Sequence, residues 1–200
     1  YKNHDDFYYY HFSYTQILTN FNKIFGLGNL NHGFRTASSI FYLNSLFYLP
    51  IVKYYLMNSG AVYILGFSNY VLFKNIKDLI KNNNFNHILF LSILSLVYIN
   101  TIFSRIAEHG TDRSALILIF VMSVYYLKSI NFKNKKSNNA YFNNFYSKLV
   151  LLFAIIISLK SFYIIYLIIF LLWLFQIKKF FKLNVLISLI FKSFYTYLFL

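Results

Sequence analysis

The chain has 200 residues, of which 58% are hydrophobic, 23% aromatic and only 12% charged. Soluble domains carry about a quarter charged residues, so this composition excludes an ordinary soluble domain. The absence of cysteine excludes disulfides and thiolate metal sites within this span. The net charge of +14 does not indicate nucleic-acid binding, because the basic residues are scattered between apolar runs instead of gathered on one folded face.

The long apolar runs predict an all-α, polytopic helical integral membrane protein that forms a single transmembrane domain over 1–200. We expect about 6–7 membrane helices within 51–200, plus one interfacial helix, because the runs match the length of a bilayer crossing. The chain begins at Tyr1 instead of Met and ends inside an apolar run. We therefore expect it to be an internal fragment of a longer protein.

The N-terminal quarter is predicted to lie at a membrane surface. Residues 1–35 are polar and aromatic and contain several glycines, which predicts an outer loop with a short helix over 12–25. Residues 36–57 are apolar but are interrupted by polar residues and by Pro50. This pattern predicts an interfacial helix with aromatic rings at headgroup depth.

The middle of the chain alternates apolar and polar segments. The polar segments are predicted as loops over 74–87 and 130–148 and as a short turn over 104–114. The apolar segments between them are predicted as crossings over 51–73, 88–103 and 115–129.

Lys160 is a charged residue within the long apolar segment 149–176. A single helix over this segment would reach about 42 Å. It would place the ammonium near the bilayer centre at a cost of about 2.5–3.5 kcal/mol. A hairpin of two short helices, with Lys160 at its turn, avoids this cost and is the preferred prediction. A further crossing is predicted over 183–200.

The lysines predict an orientation. Lysine-rich stretches at 74–87, 130–148 and 178–182 should be cytoplasmic by the positive-inside bias. Counting crossings from them places 1–35, 104–114 and Lys160 on the non-cytoplasmic side.

Those non-cytoplasmic segments hold four of the five acidic residues and every arginine. Arginine suits a site that grips phosphate or carboxylate through two bonds. The candidate catalytic residues are Asp5 and Asp6. The candidate substrate- and phosphate-binding residues are His11, Arg35, Arg105, Glu108, His109, Asp112, Arg113 and Lys160.

Each group has a simpler alternative. Asp5 and Asp6 are either a general base with its partner carboxylate or two solvated loop acids. The neighbouring His4 and His11 leave a divalent metal open as a cofactor, although no compact ligand spacing is present. Residues 105–113 either bind phosphate at a helix start or simply fix two helix ends. Lys160 either holds a phosphate or extends its amine to the membrane surface.

The order of these features resembles the polytopic GT-C-type glycosyltransferases. The resemblance is carried by Asp5-Asp6 with the aromatic run that follows, the interfacial segment from Ser38 to Gly60, the Thr111-Asp112-Arg113 start of a span, and the short-helix pair around Lys160. It implies transfer of a sugar from a polyprenyl-phosphate carrier to an acceptor on the non-cytoplasmic face. Asp5 or Asp6 would be the general base, and Arg35, Arg105, Arg113 and Lys160 would hold the carrier phosphate.

The resemblance also implies a bacterial inner (plasma) membrane location in cell-envelope polysaccharide biosynthesis. The partners would be the lipid bilayer and a lipid-linked sugar. A transporter or flippase-like protein is the first alternative, and it would place polar or broken helices near the bilayer midplane. A non-catalytic membrane protein of polysaccharide assembly is the second, and it would leave Asp5 and Asp6 replaceable.

Overall fold

The computed structural model describes residues 6–21, 24–35, 38–84, 86–103, 111–133 and 139–166. These residues are mostly helical, with short turns between the helices, and no β-strand occurs among them. The α-helices are α1 (Phe12–Asn20), α2 (Ser39–Ser45), α3 (Ser59–Lys81), α4 (His87–Ile102), α5 (Thr111–Lys133) and α6 (Asn139–Leu159). A π-helical turn precedes α1 at Phe7–His11, and short 3₁₀ helices lie at Leu27–Asn29, His32–Arg35, Tyr54–Leu56 and Ser161–Tyr166.

Helices α3 and α4 form an antiparallel pair that polar side chains join. Asn100 Nδ2 donates to Asn69 Oδ1 at 2.7 Å, and Asn69 Nδ2 donates back to Asn100 Oδ1 at 3.1 Å. Two turns further along α3, Asn75 Nδ2 donates to Ser92 Oγ at 2.7 Å. The Asn86 side chain caps α4 by accepting from the backbone amides that follow it. Polar pairs of this kind hold apolar helices in register.

Helix α5 is the centre of the bundle. Ile117 and Val121 are completely buried, and α6 packs antiparallel along α5 with Ile156 completely buried between them. Helix α3 also packs on α5. The three helices lie along one another, so the bundle has two ends. We call the end that holds the start of α5 and the last turn of α6 the Lys160 end, and the opposite one the Lys128 end.

The N-terminal segment packs across the Lys160 end. Phe41 of α2 is 2% exposed, and its ring contacts the rings of Tyr10, His11 and Tyr14. At the start of α2, Ser38 Oγ donates to the backbone oxygen of Leu159 at 2.5 Å, and the Ser39 and Ser158 hydroxyls lie 3.0 Å apart. These bonds attach α2 to the end of α6, more than a hundred residues later in the chain.

Within the described part of the chain, two helical segments are long and apolar enough to cross a membrane, Tyr54–Lys81 and Asp112–Ile130. Two apolar helices in the same part are shorter, His87–Ile102 and Ser147–Leu159. The all-helical prediction is confirmed for the described residues. The count of about 6–7 membrane helices is not confirmed, and the predicted crossing over 183–200 lies outside the described residues.

Several predicted boundaries differ from the structure. The predicted loops over 74–87 and 130–148 are largely helical, because α3 continues to Lys81, α5 continues to Lys133 and α6 already begins at Asn139. Lysine is a good helix former, so a helix can extend beyond its apolar stretch. The predicted interfacial helix over 36–57 is also too long. Helix α2 ends at Ser45, and the chain then turns through Lys53, whose φ of 53° is incompatible with a regular helix.

Two glycines of α3 offer a matched test of this packing. A Cβ at Gly60 would collide with Asn44 Oδ1 and approach the Leu43 side chain to 3.1 Å, whereas a Cβ at Gly66 would have no atom within 4 Å. We expect Gly60→Ala to lower the free energy of unfolding by about 1–3 kcal/mol. Gly66→Ala should raise it by about 0.5–1 kcal/mol, because alanine favours helix. Thermal unfolding in detergent measures both, and equal effects would contradict the α2–α3 contact.

Candidate functional site

Asp112 and Lys160 form an ion pair at the Lys160 end. Asp112 lies in the first turn of α5 and Lys160 directly follows α6, and Lys160 Nζ is 2.6 Å from Asp112 Oδ1. The Lys160 side chain is 34% exposed and that of Asp112 64%. Both charged groups therefore remain accessible to a ligand while they neutralise each other.

The end of α6 determines where Lys160 lies. The Lys160 amide makes a last helical bond to the Ile156 oxygen at 3.0 Å, and the Lys160 oxygen then accepts from the Tyr163 amide at 3.1 Å as the 3₁₀ helix begins. The Leu159 backbone oxygen accepts a hydrogen bond from Ser38 Oγ instead of from a helical amide. A continuous helix through Lys160 is therefore wrong, and a break at Lys160 agrees with the preferred prediction. The second half of the predicted hairpin, beyond Tyr166, lies outside the described residues.

Tyr163 lies against the same ion pair. Its hydroxyl donates to the Asp112 backbone oxygen at 3.5 Å. Burial raises the pKa of Tyr163, and the negative charge of Asp112 raises it further. The phenol is therefore protonated at neutral pH and is a hydrogen-bond donor.

Tyr10 links the N-terminal segment to this site. Burial raises the pKa of Tyr10, and the charges of Asp6 and Asp112 raise it further. Asp6 and Asp112, which are more than a hundred residues apart in the sequence, therefore both raise the pKa of Tyr10. Gly33 makes this position possible, because a Cβ there would lie 2.5 Å from Tyr10 Cγ. Only glycine leaves room for the Tyr10 ring against this loop.

We define the Asp112–Lys160 cluster as Asp6, Tyr10, Asp112, Lys160 and Tyr163. It contains two carboxylates that accept protons or hydrogen bonds, one ammonium with three donors, and two protonated phenols. These groups can form hydrogen bonds with a hydroxyl compound and with an anion. The structure pairs Asp112 with Lys160, and Asp6 and Asp112 both lie near enough to Tyr10 to raise its pKa.

The other predicted residues have different surroundings. His11 packs on the rings of Tyr10 and Phe41, with centroids 4.3 and 5.3 Å away. Arg35 is exposed, and its Nε donates to the Gly28 oxygen at 3.0 Å within the N-terminal loops. Arg113 Nη1 donates to the Ile102 oxygen at 2.9 Å and thereby caps the end of α4. Asp5, Arg105, Glu108 and His109 lie outside the described residues.

Within the ranges that the structure describes, no group of three or more His, Asp or Glu side chains is arranged to hold a metal ion. His4 and Asp5, which with Asp6 and His11 suggested a divalent metal, lie outside those ranges.

A family model described as a domain of unknown function, DUF8201, matches residues 1–200, the full length of the sequence. The chain belongs to the DUF8201 family. Comparison with curated proteins and comparison with solved structures each returned no match. The chemistry of this DUF8201 domain must therefore be inferred from its own residues.

Sequence reasoning missed three residues that shape the site of this DUF8201 domain. Tyr10 belongs to the aromatic run after Asp6, but nothing in that run distinguishes it from Tyr8 and Tyr9. Tyr163 and Ser38 act through backbone atoms of Asp112 and Leu159. Contacts of that kind leave no pattern in the sequence.

The pKa of Tyr10 tests the geometry of the cluster. Because the charges of Asp6 and Asp112 disfavour the phenolate, Asp6→Asn and Asp112→Asn should each lower the Tyr10 pKa, with the larger effect from Asp6. Burial should still raise the Tyr10 pKa in both variants, so only part of the shift is lost. A pH titration by ¹⁹F NMR, with 3-fluorotyrosine incorporated at position 10, measures the shift.

The control for that titration is Asp78→Asn on α3, near the Lys128 end, which should leave the Tyr10 pKa unchanged. If Asp112→Asn has no effect on the Tyr10 titration, the start of α5 does not lie beside the N-terminal segment.

Proposed function

We propose that this chain is an integral membrane glycosyltransferase of the GT-C type. It would move a sugar from a polyprenyl-phosphate carrier to an acceptor hydroxyl at the Asp112–Lys160 cluster. The observation that carries the proposal is the 2.6 Å Asp112–Lys160 pair at the start of an apolar helix, with Asp6 acting on the same neighbouring phenol. The transfer needs a carboxylate that accepts the proton of the acceptor hydroxyl and a cation that stabilises the departing phosphate.

The placement of the cluster supports a lipid-linked substrate. It lies where α5 begins and α6 ends, and α5 is long and apolar enough to cross a bilayer. A polyprenyl chain is apolar, so its phosphate would be presented at the membrane boundary. The lysine distribution along the chain favours the non-cytoplasmic face for this end, in a bacterial inner membrane.

The reaction follows from the chemistry of the side chains. The Asp6 carboxylate takes the proton of the acceptor hydroxyl as the acceptor oxygen forms a bond to the anomeric carbon. The bond between that carbon and the phosphate oxygen breaks, and the electron pair leaves with the polyprenyl phosphate. Asp5, which precedes Asp6, would be the second candidate for this base.

Lys160 would stabilise the departing phosphate. Negative charge grows on the phosphate oxygens in the transition state, and a fixed ammonium stabilises it more than it stabilises the substrate. Asp112 occupies one of the three Lys160 donors at 2.6 Å and holds the ammonium in place. Tyr10 and Tyr163, as protonated phenols, would donate to the phosphate or to the sugar hydroxyls.

The transporter alternative has less support from the polar residues inside the helices. Asn69 bonds to Asn100, and Asn75 bonds to Ser92, each across the α3–α4 contact. The Asn69 and Asn100 amides therefore satisfy each other, and the Asn75 amide nitrogen is occupied by Ser92. A transport path would instead present polar groups to a substrate near the midplane.

Single substitutions in the full-length protein test the proposal. In cells that lack the endogenous gene, Asp6→Asn should reduce the envelope glycan made by the complemented strain by about 10²–10⁴-fold, the usual contribution of a general base. Lys160→Gln should also reduce it, and the lipid-linked donor should accumulate. Mass spectrometry of extracted glycans and lipids measures both.

Lys77→Gln on α3 is the matched control and should retain full glycan output. Expression of every variant is compared by immunoblot. Wild-type glycan from a normally expressed Asp6→Asn protein would refute Asp6 as the base. Wild-type glycan from Lys160→Gln as well would refute transfer at this cluster.

A further inference from the structure

A second charged feature lies toward the Lys128 end. A cavity of about 460 Å³ opens between α3, α5 and α6. Its charged lining residues are Lys74 and Asp78 of α3, Lys128 of α5 and Lys148 of α6. We call it the lysine cavity.

The lysine cavity is separate from the Asp112–Lys160 cluster. Lys128 is sixteen residues after Asp112 on α5, which corresponds to about 24 Å along a helix. Lys148 is twelve residues before Lys160, or about 18 Å. A ligand in this cavity would therefore meet a different part of the protein from the proposed sugar transfer.

The charges in the lysine cavity are unbalanced. Three lysines and one aspartate line it. Within the described part of the chain, Lys74, Lys128 and Lys148 form no salt bridge and no side-chain hydrogen bond. Their ammonium groups can therefore all serve an anionic ligand.

Asn75 adds a buried polar group. It lines the cavity and is 5% exposed, and its Nδ2 donates to Ser92 Oγ, which itself donates to the Ile88 oxygen at 2.6 Å. This chain of donors fixes the amide orientation. Asn75 Oδ1 is buried and has no hydrogen-bond partner among the described residues, so this wall of the cavity carries a polar group besides the lysines.

The remaining walls are apolar. Leu72 and Val121 are completely buried, whereas Phe67 and Tyr70 line the cavity and are 57% and 64% exposed. The exposed rings continue from the cavity onto the outer surface of α3. A ligand with an alkyl chain could lie along this surface while its anionic group stays among the lysines.

We propose that the lysine cavity binds the phosphate group of an anionic membrane lipid. The phosphate would contact Lys74, Lys128 and Lys148, and an acyl chain would lie on Phe67 and Tyr70. The lysine-rich end is the predicted cytoplasmic one, and the cytoplasmic leaflet is the one rich in anionic lipid. This inference does not depend on the proposed glycosyltransferase activity.

Binding to the purified full-length protein in neutral detergent tests the proposal. Three probes are titrated and followed by native mass spectrometry: a short-chain phosphatidic acid, the matching phosphatidylcholine, and inorganic phosphate. Phosphatidic acid should bind at least about tenfold more tightly than either of the others, because only it combines an exposed phosphate with an acyl chain.

The variants separate the cavity from general surface charge. Lys128→Gln should weaken phosphatidic acid binding about tenfold, whereas Lys77→Gln, on the same helix as Lys74 but outside the cavity, should change it by less than about twofold. Asp78→Asn removes the one acid and should tighten binding, an effect that misfolding cannot produce.

Three results would overturn the proposal. Equal binding of phosphatidic acid and phosphatidylcholine would refute recognition of an anionic head group. Inorganic phosphate binding as tightly as phosphatidic acid would refute a lipid as the ligand. An equal loss in Lys77→Gln and Lys128→Gln would refute the cavity as the site.

Discussion

The arrangement at the Lys160 end depends on one ion pair. Asp112 and Lys160 neutralise each other at 2.6 Å while both side chains stay partly exposed. The pair joins the first turn of α5 to the residue that follows α6, and the Ser38 bond to Leu159 fixes the same point from the N-terminal side. Tyr10 and Tyr163 then pack around a charge whose position is already determined.

The chain keeps its charged chemistry toward the two ends of an apolar bundle. Acids, phenols and a lysine meet at the Lys160 end, whereas lysines dominate the cavity toward the other end. Between them, polar side chains pair with each other across α3 and α4. Mixed charge suits proton transfer and a departing phosphate, whereas unbalanced positive charge suits binding without reaction. We accordingly assign sugar transfer to the Asp112–Lys160 cluster and lipid binding to the lysine cavity.

Part of this account could be predicted from the sequence. The all-helical class follows from apolar runs, and counting crossings placed Asp6, Asp112 and Lys160 on one side. The direct pairing of Asp112 with Lys160 could not be predicted, because it depends on how α5 packs on α6 and on a hydrogen bond between residues 38 and 159. The sequence underestimates the lengths of α3, α5 and α6, because runs of lysine and asparagine at a helix end are also typical of loops. The lysine cavity depends on which lysines line the same opening, and the packing of three separate helices decides that.

Cross-linking in this cysteine-free sequence is the most direct test of the central claim, that the start of α5 and the end of α6 meet. Cysteines at positions 112 and 160 (Asp112→Cys with Lys160→Cys) are treated with a short bifunctional thiol reagent, and cross-linked peptides are identified by mass spectrometry. Asp112→Cys with Lys148→Cys is the control, because Lys148 lies about 18 Å further along α6. The structure predicts an efficient cross-link for the first pair and none for the second. A first pair that reacts no better than the control would contradict the account.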